Sequence, residues 1–258
     1  MSTKADWRQV LEQPALGDHI VQVYQDREFL AEAVAEYIGT ALQRGEAAIV
    51  IARPEHLSAF EHHLALRGCN VDTMRQSGQL CSLDAQATLD QLMLGGEPQW
   101  TPFHQVVGGL IARTRLQFPA VRAYGEMVDI LWQAGRRDAA IRLEEFWNEL
   151  GRRQTFSLFC AYYMDNLDAA SYGGPLECVC KVHTHLIPVR DYDAFDEQVA
   201  QASRKVLEEP LSRMMFHLAA ESRPGADMPR GQAVLFWLQK NMPRTAERVL
   251  REVRGSPG

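Results

Sequence analysis

The run 47-AAIVIA-52 is apolar at every position and follows directly on Gly45-Glu46. A strand with one wet face alternates polar and apolar side chains. A strand apolar throughout is covered on both faces, the usual condition of a parallel sheet with helices on each side. Other segments fit the same plan. The stretches 19-HIVQVY-24, 121-VRAYG-125 and 155-TFSLFCAY-162 read as strands, and 79-QLCSLDA-85 as strand and turn. Between them, Phe29, Leu30, Val34, Tyr37, Ile38 and Leu42 recur at helical spacing and predict a helix to about residue 41. Pro54 opens another to about Arg67, closed by Gly68, and 86–94 and 102–117 read as two more. A short helix is expected over 5–13 and a short strand near 69–74. After 121–125 come two helices, about 127–134 and 137–150, split by Gly135. Strands alternating with helices define an α/β fold with a mostly parallel sheet.

The pattern changes after 183-HTHLIPVRDYDAF-195. Helices are expected near 193–208, 210–221, 230–241 and 243–254, with 222-SRPGADMP-229 as a turn or linker. The organisation read from the sequence is therefore an N-terminal segment (1–18), an α/β domain (19–190) and a C-terminal helical region (191–258).

A chain of 258 residues with 46% apolar and 23% charged residues buries a full core without disulfides. Its net charge of −6 argues against a dedicated polyanion binder. No apolar run approaches the roughly 18 residues a membrane span needs, and the N-terminus has no signal-peptide apolar segment. Five cysteines (69, 81, 160, 178 and 180), an odd number, read as reduced thiols, so a cytoplasmic location is expected.

Glu126 stands just beyond strand 121–125, where parallel sheets place their ligands. In nucleotide hydrolases a carboxylate there holds magnesium or orients water, but it works with the glycine-rich loop GxxxxGK[ST]. Here the first strand runs into YQDREFL, with no glycine to let amides close on a phosphate, and none of the four lysines (4, 181, 205, 240) follows a glycine. The GxSxG, GxGxxG and HExxH patterns are missing as well. Cys160 lies inside an apolar strand, where a thiol is usually inert. The run 177-ECVCKVHTH-185 offers zinc-type donors without the CxxC spacing of structural sites, and a helix burying Cys178, Val179, Val182 and Leu186 accounts for it equally. No catalytic residue, cofactor or metal is expected, and the chain reads as a non-enzyme.

Two polar groupings remain. Tyr124 and Glu126 share one side of their strand. In helix 137–150, Ala140, Leu143, Trp147 and Leu150 form a core face, with Glu144 and Asn148 four residues apart beside it. Glu126 reads either as a cap on the helix near 127 or as part of a polar pocket with Tyr124 and Glu144 or Asn148; spacing alone does not choose.

The segments YGEMVDILW, AAIRLEEFWNELG and FSLFCAY resemble the MEDS domain, the sensory domain of DcmR-type regulators in methanogens and methylotrophs, also joined to bacterial histidine kinases. HIVQVY, RGEAAIVIARPEH, QLCSLDA and CVCKVHTHLIP agree, so the resemblance covers roughly 15–190. It implies a RecA- or KaiC-like three-layer core that lacks the phosphate loop and serves for sensing. The positions matching its signature are His19, Tyr24, Tyr124, Gly125, Glu126, Glu144, Trp147, Asn148 and Glu149. The expectation is a bacterial, non-catalytic signal-transduction regulator binding a small ligand or partner protein through Tyr24, Tyr124, Glu126, Glu144, Trp147 and Asn148. Neither a helix-turn-helix before the domain nor a kinase after it is read in this chain, so the C-terminal helices are expected to carry the output through a protein partner or self-association, with no membrane. The rival readings are a degenerate nucleotide-binding ATPase and a transcription regulator. For the latter, the basic residues Arg230, Lys240, Arg244, Arg248, Arg251 and Arg254 would touch DNA; such a run is more often a solvated helix face.

Overall fold

The computed structural model describes residues 6–172, 174–207, 209–220 and 225–255. The chain divides into two compact units: Met1–Gln22 with Asp26–Tyr163, and Val23–Gln25 with Met164–Gly258.

In the first unit the order is α1 (Trp7–Glu12), β1 (His19–Tyr24), α2 (Arg27–Gln43), β2 (Ala47–Ala52), α3 (Pro54–Leu66), α4 (Val71–Gln76), β3 (Leu80–Asp84) and α5 (Ala85–Leu92). A two-stranded hairpin, β4 (Met93–Leu94) and β5 (Glu97–Pro98), turns through Gly95 and Gly96, both at positive φ. Then follow α6 (Trp100–Phe103), a π-helical turn at His104–Gly108, α7 (Gly109–Arg115), β6 (Val121–Gly125), α8 (Met127–Gln133), α9 (Arg137–Arg153) and β7 (Ser157–Tyr163).

The second unit holds α10 (Ala169–Tyr172), α11 (Pro175–Val182), β8 (His185–Ile187), α12 (Tyr192–Val206), α13 (Glu209–Ala220), α14 (Arg230–Asn241) and α15 (Pro243–Gly255). The six-stranded parallel sheet has the order β3-β2-β6-β7-β1-β8, so the fold is α/β with a C-terminal group of helices, as the sequence predicts.

β2, the all-apolar strand, lies between β3 and β6 with all six residues buried. Tyr124 pairs in register with Val50 on one side and Phe159 on the other. Its ring meets Phe60 of α3 edge-on at 5.3 Å and Phe159 at 5.5 Å. The neighbouring Gly125 faces the other way, and a Cβ there would lie 3.4 Å from the Trp147 ring of α9. Successive residues of a strand point to opposite faces, so α3 and α9 cover opposite faces of the sheet. Three layers follow from that pair of residues.

Several expectations need correction. Residues 71–76 form α4, not a strand. The Asn70 side chain accepts from the Thr73 amide at 3.0 Å, and that cap outweighs the strand propensity of Val71 and Thr73. The helix expected over 102–117 is interrupted by the π turn. There Gly108 lies against Leu150, where a Cβ would approach to 3.1 Å, and its carbonyl accepts from Gln154. The run at 177–185 is only partly helical: α11 buries Leu176, Val179 and Cys180, while Cys178 is exposed and His185 begins β8. The four C-terminal helices lie within a residue or two of their predicted bounds, but the linker expected at 222–229 falls partly outside the described residues.

The sequence draws a boundary near 190, and the compact units part at Tyr163. Residues beyond 163 bond to the C-terminal part of the chain: the Leu186 amide to the Asp227 carbonyl at 2.8 Å, and Gln232 to the Tyr172 hydroxyl at 2.6 Å. In α15, Ala246, Val249, Leu250 and Val253 form the buried stripe, leaving Arg244, Arg248, Arg251 and Arg254 on the exposed face. In α14, Val234, Leu235 and Leu238 are buried. Among the described residues, no helix is long and apolar enough to cross a membrane.

Candidate functional site

Most of the signature positions fall into or beside two polar clusters on opposite faces of the sheet, whereas Glu149 pairs with Arg152 and Arg153. The first surrounds Glu126, which is fully buried at the tip of β6. It is the N-cap residue of α8, yet its side chain makes no capping bond. The carboxylate turns sideways instead. One oxygen, Oε2, accepts from the Arg53 amide at 3.0 Å and from the Arg53 guanidinium at 3.4 Å. The other, Oε1, accepts from the Tyr124 hydroxyl at 2.8 Å and from His56 Nδ1 at 2.7 Å. Arg53 also reaches Asp129 of α8 at 2.8 Å, and Asp129 takes the Tyr163 amide at 2.9 Å. The arrangement follows from adjacency of β2 and β6. Pro54 starts α3 directly after β2, which puts Arg53 and His56 beside the end of β6. A carboxylate with four donors on it is a strut between the ends of two strands and two helices.

The second cluster lies on the α9 face. Glu144, also fully buried, accepts at Oε1 from the Tyr162 hydroxyl at 2.8 Å. Its Oε2 is 3.2 Å from His19 Nε2 and 3.5 Å from Cys160 Sγ, and those last two atoms are 3.4 Å apart. The other imidazole nitrogen, Nδ1, is 3.0 Å from Asn148 Oδ1. Helical spacing puts Glu144 and Asn148 on one face of α9, and the β7–β1 adjacency puts Cys160 next to His19. Burial raises the Cys160 thiol well above its ordinary range, and the Glu144 charge adds to the effect. The same causes, in the same order, raise Tyr162. The set combines imidazole, carboxylate and sulfur donors, which are metal-ligating types.

Beside this cluster a cleft of about 210 Å³ is lined by Gly17, Asp18, His19, Trp147, Asn148, Gly151, Arg152, Phe156 and Leu158. Trp147, 1% exposed, packs edge-on against Phe103 at 5.1 Å, and its indole N–H has no hydrogen-bond partner among the described residues.

Of the predicted site residues, Tyr124 and Glu126 meet in the first cluster. Glu144, Trp147 and Asn148 lie on the α9 side, the last two in the cleft wall. Tyr24 is buried at the end of β1, five residues from His19, and so leaves the strand on the opposite face. Arg53, His56, Asp129 and Tyr162 were not singled out in the sequence, and Cys160 was read there only as an inert thiol. The phrase RPEH after an apolar strand was the visible signal for two of them. Cys160 carried none, since an apolar strand is where an inert thiol also sits.

At the start of α2, where a phosphate loop would present its amides, the Asp26 carboxylate accepts from the Glu28 amide at 2.9 Å. These features define a three-layer α/β domain with a capping carboxylate at its first strand-to-helix junction. The chain belongs to the MEDS family: the model for the MEthanogen/methylotroph, DcmR Sensory domain matches residues 18–184. It is thus built around a domain of a sensory family. No curated protein and no solved structure matches the chain.

Proposed function

We propose that this chain is a non-catalytic sensory regulator that binds a small ligand in the cleft formed by His19, Trp147, Asn148 and Phe156 and passes the state to a protein partner. The observation that carries the reading is the difference between the two clusters. Glu126 is fully buried and engaged by four donors, whereas Trp147 and Asn148 face a space large enough for a compact molecule. The cleft is smaller than the roughly 300–1,000 Å³ of pockets for drug-sized ligands, so its occupant is a molecule of few heavy atoms. Phe156 and Leu158 supply apolar wall; Asp18, Asn148 and Arg152 supply polar contacts. The non-catalytic part rests on the sequence's missing phosphate loop and on Asp26 at the α2 terminus. For a protein partner, α13 offers Met214 and Leu218, exposed one helical turn apart.

Gly151 gives a clean test. It lines the cleft, and a Cβ there meets nothing within 4 Å. Gly151→Phe is expected to fill the space and leave the fold intact. In a ligand-observed NMR screen of small fragments, hits on the wild type should vanish in Gly151→Phe with unchanged circular dichroism. Hits retained by that variant would place binding elsewhere.

A further inference from the structure

We infer that His19 Nε2, Glu144 Oε2 and Cys160 Sγ form three ligands of a buried zinc-type divalent cation. This goes beyond the small-ligand reading and stands without it.

Geometry is the first ground. Bonds of about 2.0 Å to nitrogen or oxygen and about 2.3 Å to sulfur, at the tetrahedral angle, put an N and an O ligand about 3.3 Å apart and either of them about 3.5 Å from sulfur. The three separations here are 3.2 Å (N to O), 3.4 Å (N to S) and 3.5 Å (O to S). The triangle therefore matches one face of a zinc tetrahedron before any side chain moves. The fourth vertex is left unassigned.

The supporting groups are the second ground. A metal-binding histidine typically donates its other ring N–H to an oxygen, which fixes the tautomer, and a ligating carboxylate is itself hydrogen-bonded. Asn148 Oδ1 lies 3.0 Å from His19 Nδ1, so the imidazole can keep its proton there and aim the Nε2 lone pair at the triangle. The Tyr162 hydroxyl donates to Glu144 Oε1, leaving Oε2 directed at His19 and Cys160.

Charge is the third. A thiolate and a carboxylate together carry −2, which a divalent cation neutralises. All three residues are buried, where uncompensated charge is most costly. On binding, the metal takes the place of the thiol proton, which leaves to solvent, and of any proton on His19 Nε2. Thiolate, imidazole and carboxylate together favour zinc over the hard cations calcium and magnesium.

The test uses the full chain, stripped with a chelator and titrated with Co²⁺ as a spectroscopic stand-in for zinc. One equivalent should bind, with a thiolate-to-cobalt charge-transfer band in the near ultraviolet that Zn²⁺ abolishes by displacement. Cys160→Ser should remove the band, while Cys178→Ser, which changes an exposed cysteine, should keep it. Asn148→Ala should weaken cobalt binding about 10–100-fold with the band's shape unchanged. No stoichiometric cobalt binding by the wild type would overturn the proposal, as would a band that survives Cys160→Ser. Because the wild-type titration and the Cys178→Ser control stand alone, a poorly folded Cys160→Ser would not rescue it.

Discussion

Glu126 and Glu144 are both completely buried carboxylates reached by a tyrosine hydroxyl, and they lie on opposite faces of one sheet. What surrounds them differs. Glu126 is held by a guanidinium, a backbone amide, an imidazole and a phenol, all donors converging from the ends of β2, α3 and β6. Glu144 faces one phenol on one oxygen, and an imidazole and a thiol on the other. Burial alone therefore does not mark a functional acid. The neighbours separate them: four hydrogen-bond donors hold Glu126, whereas Glu144 has a phenol on one oxygen and, on the other, the thiol and imidazole that the proposed cation would share with it.

If Glu126 is a joint, its removal should be the most damaging single change in either cluster. Glu126→Ala leaves the Arg53 and His56 donors buried against a cavity and should cost about 3–5 kcal/mol of unfolding free energy in a urea titration. A loss below about 1 kcal/mol would remove the distinction between the two acids, since surface substitutions lie in that range. The next effect separates the acids by metal. With zinc at a hundred times its dissociation constant, the wild type should gain about 2.7 kcal/mol of stability. Tyr124→Phe, at the first acid, should gain as much, and Glu144→Gln should gain nothing. A zinc effect lost in Tyr124→Phe would contradict the separation. In the absence of metal, Tyr124→Phe should itself cost about 1.5–3 kcal/mol, the scale of a hydrogen bond to a charged group, with its ring contacts to Phe60 and Phe159 kept. The smallest change lies outside both clusters. Asn70→Ala removes the α4 cap and should cost about 1 kcal/mol without altering either cluster's behaviour.

Much of this arrangement could be read locally. An all-apolar 47–52 required a doubly covered strand, and β2 is one. Alternation put Tyr124 and Glu126 on one side, and their hydrogen bond agrees. Helical spacing put Glu144 beside Asn148, and both reach the same imidazole. What stayed hidden was strand order. His19 and Cys160 are 141 residues apart, and Arg53 and Glu126 are 73 apart; each pair meets because particular strands are neighbours. A single pocket joining Tyr124 and Glu126 to Glu144 or Asn148 was plausible only while the faces were unknown. The Tyr124–Gly125 step, one side chain toward α3 and the next position under Trp147, puts the sheet between them.

The proposal with the most at stake is that ligands are sensed on the α9 face and not at the strand tip. Hydrogen–deuterium exchange of the full chain, with and without the strongest hit of the fragment screen, reports on both places at once. Slowed exchange should appear across 17–22 and 144–152, with 53–57 and 124–130 unchanged. Slowing confined to 53–57 and 124–130 would show that Glu126 stands at the binding site after all.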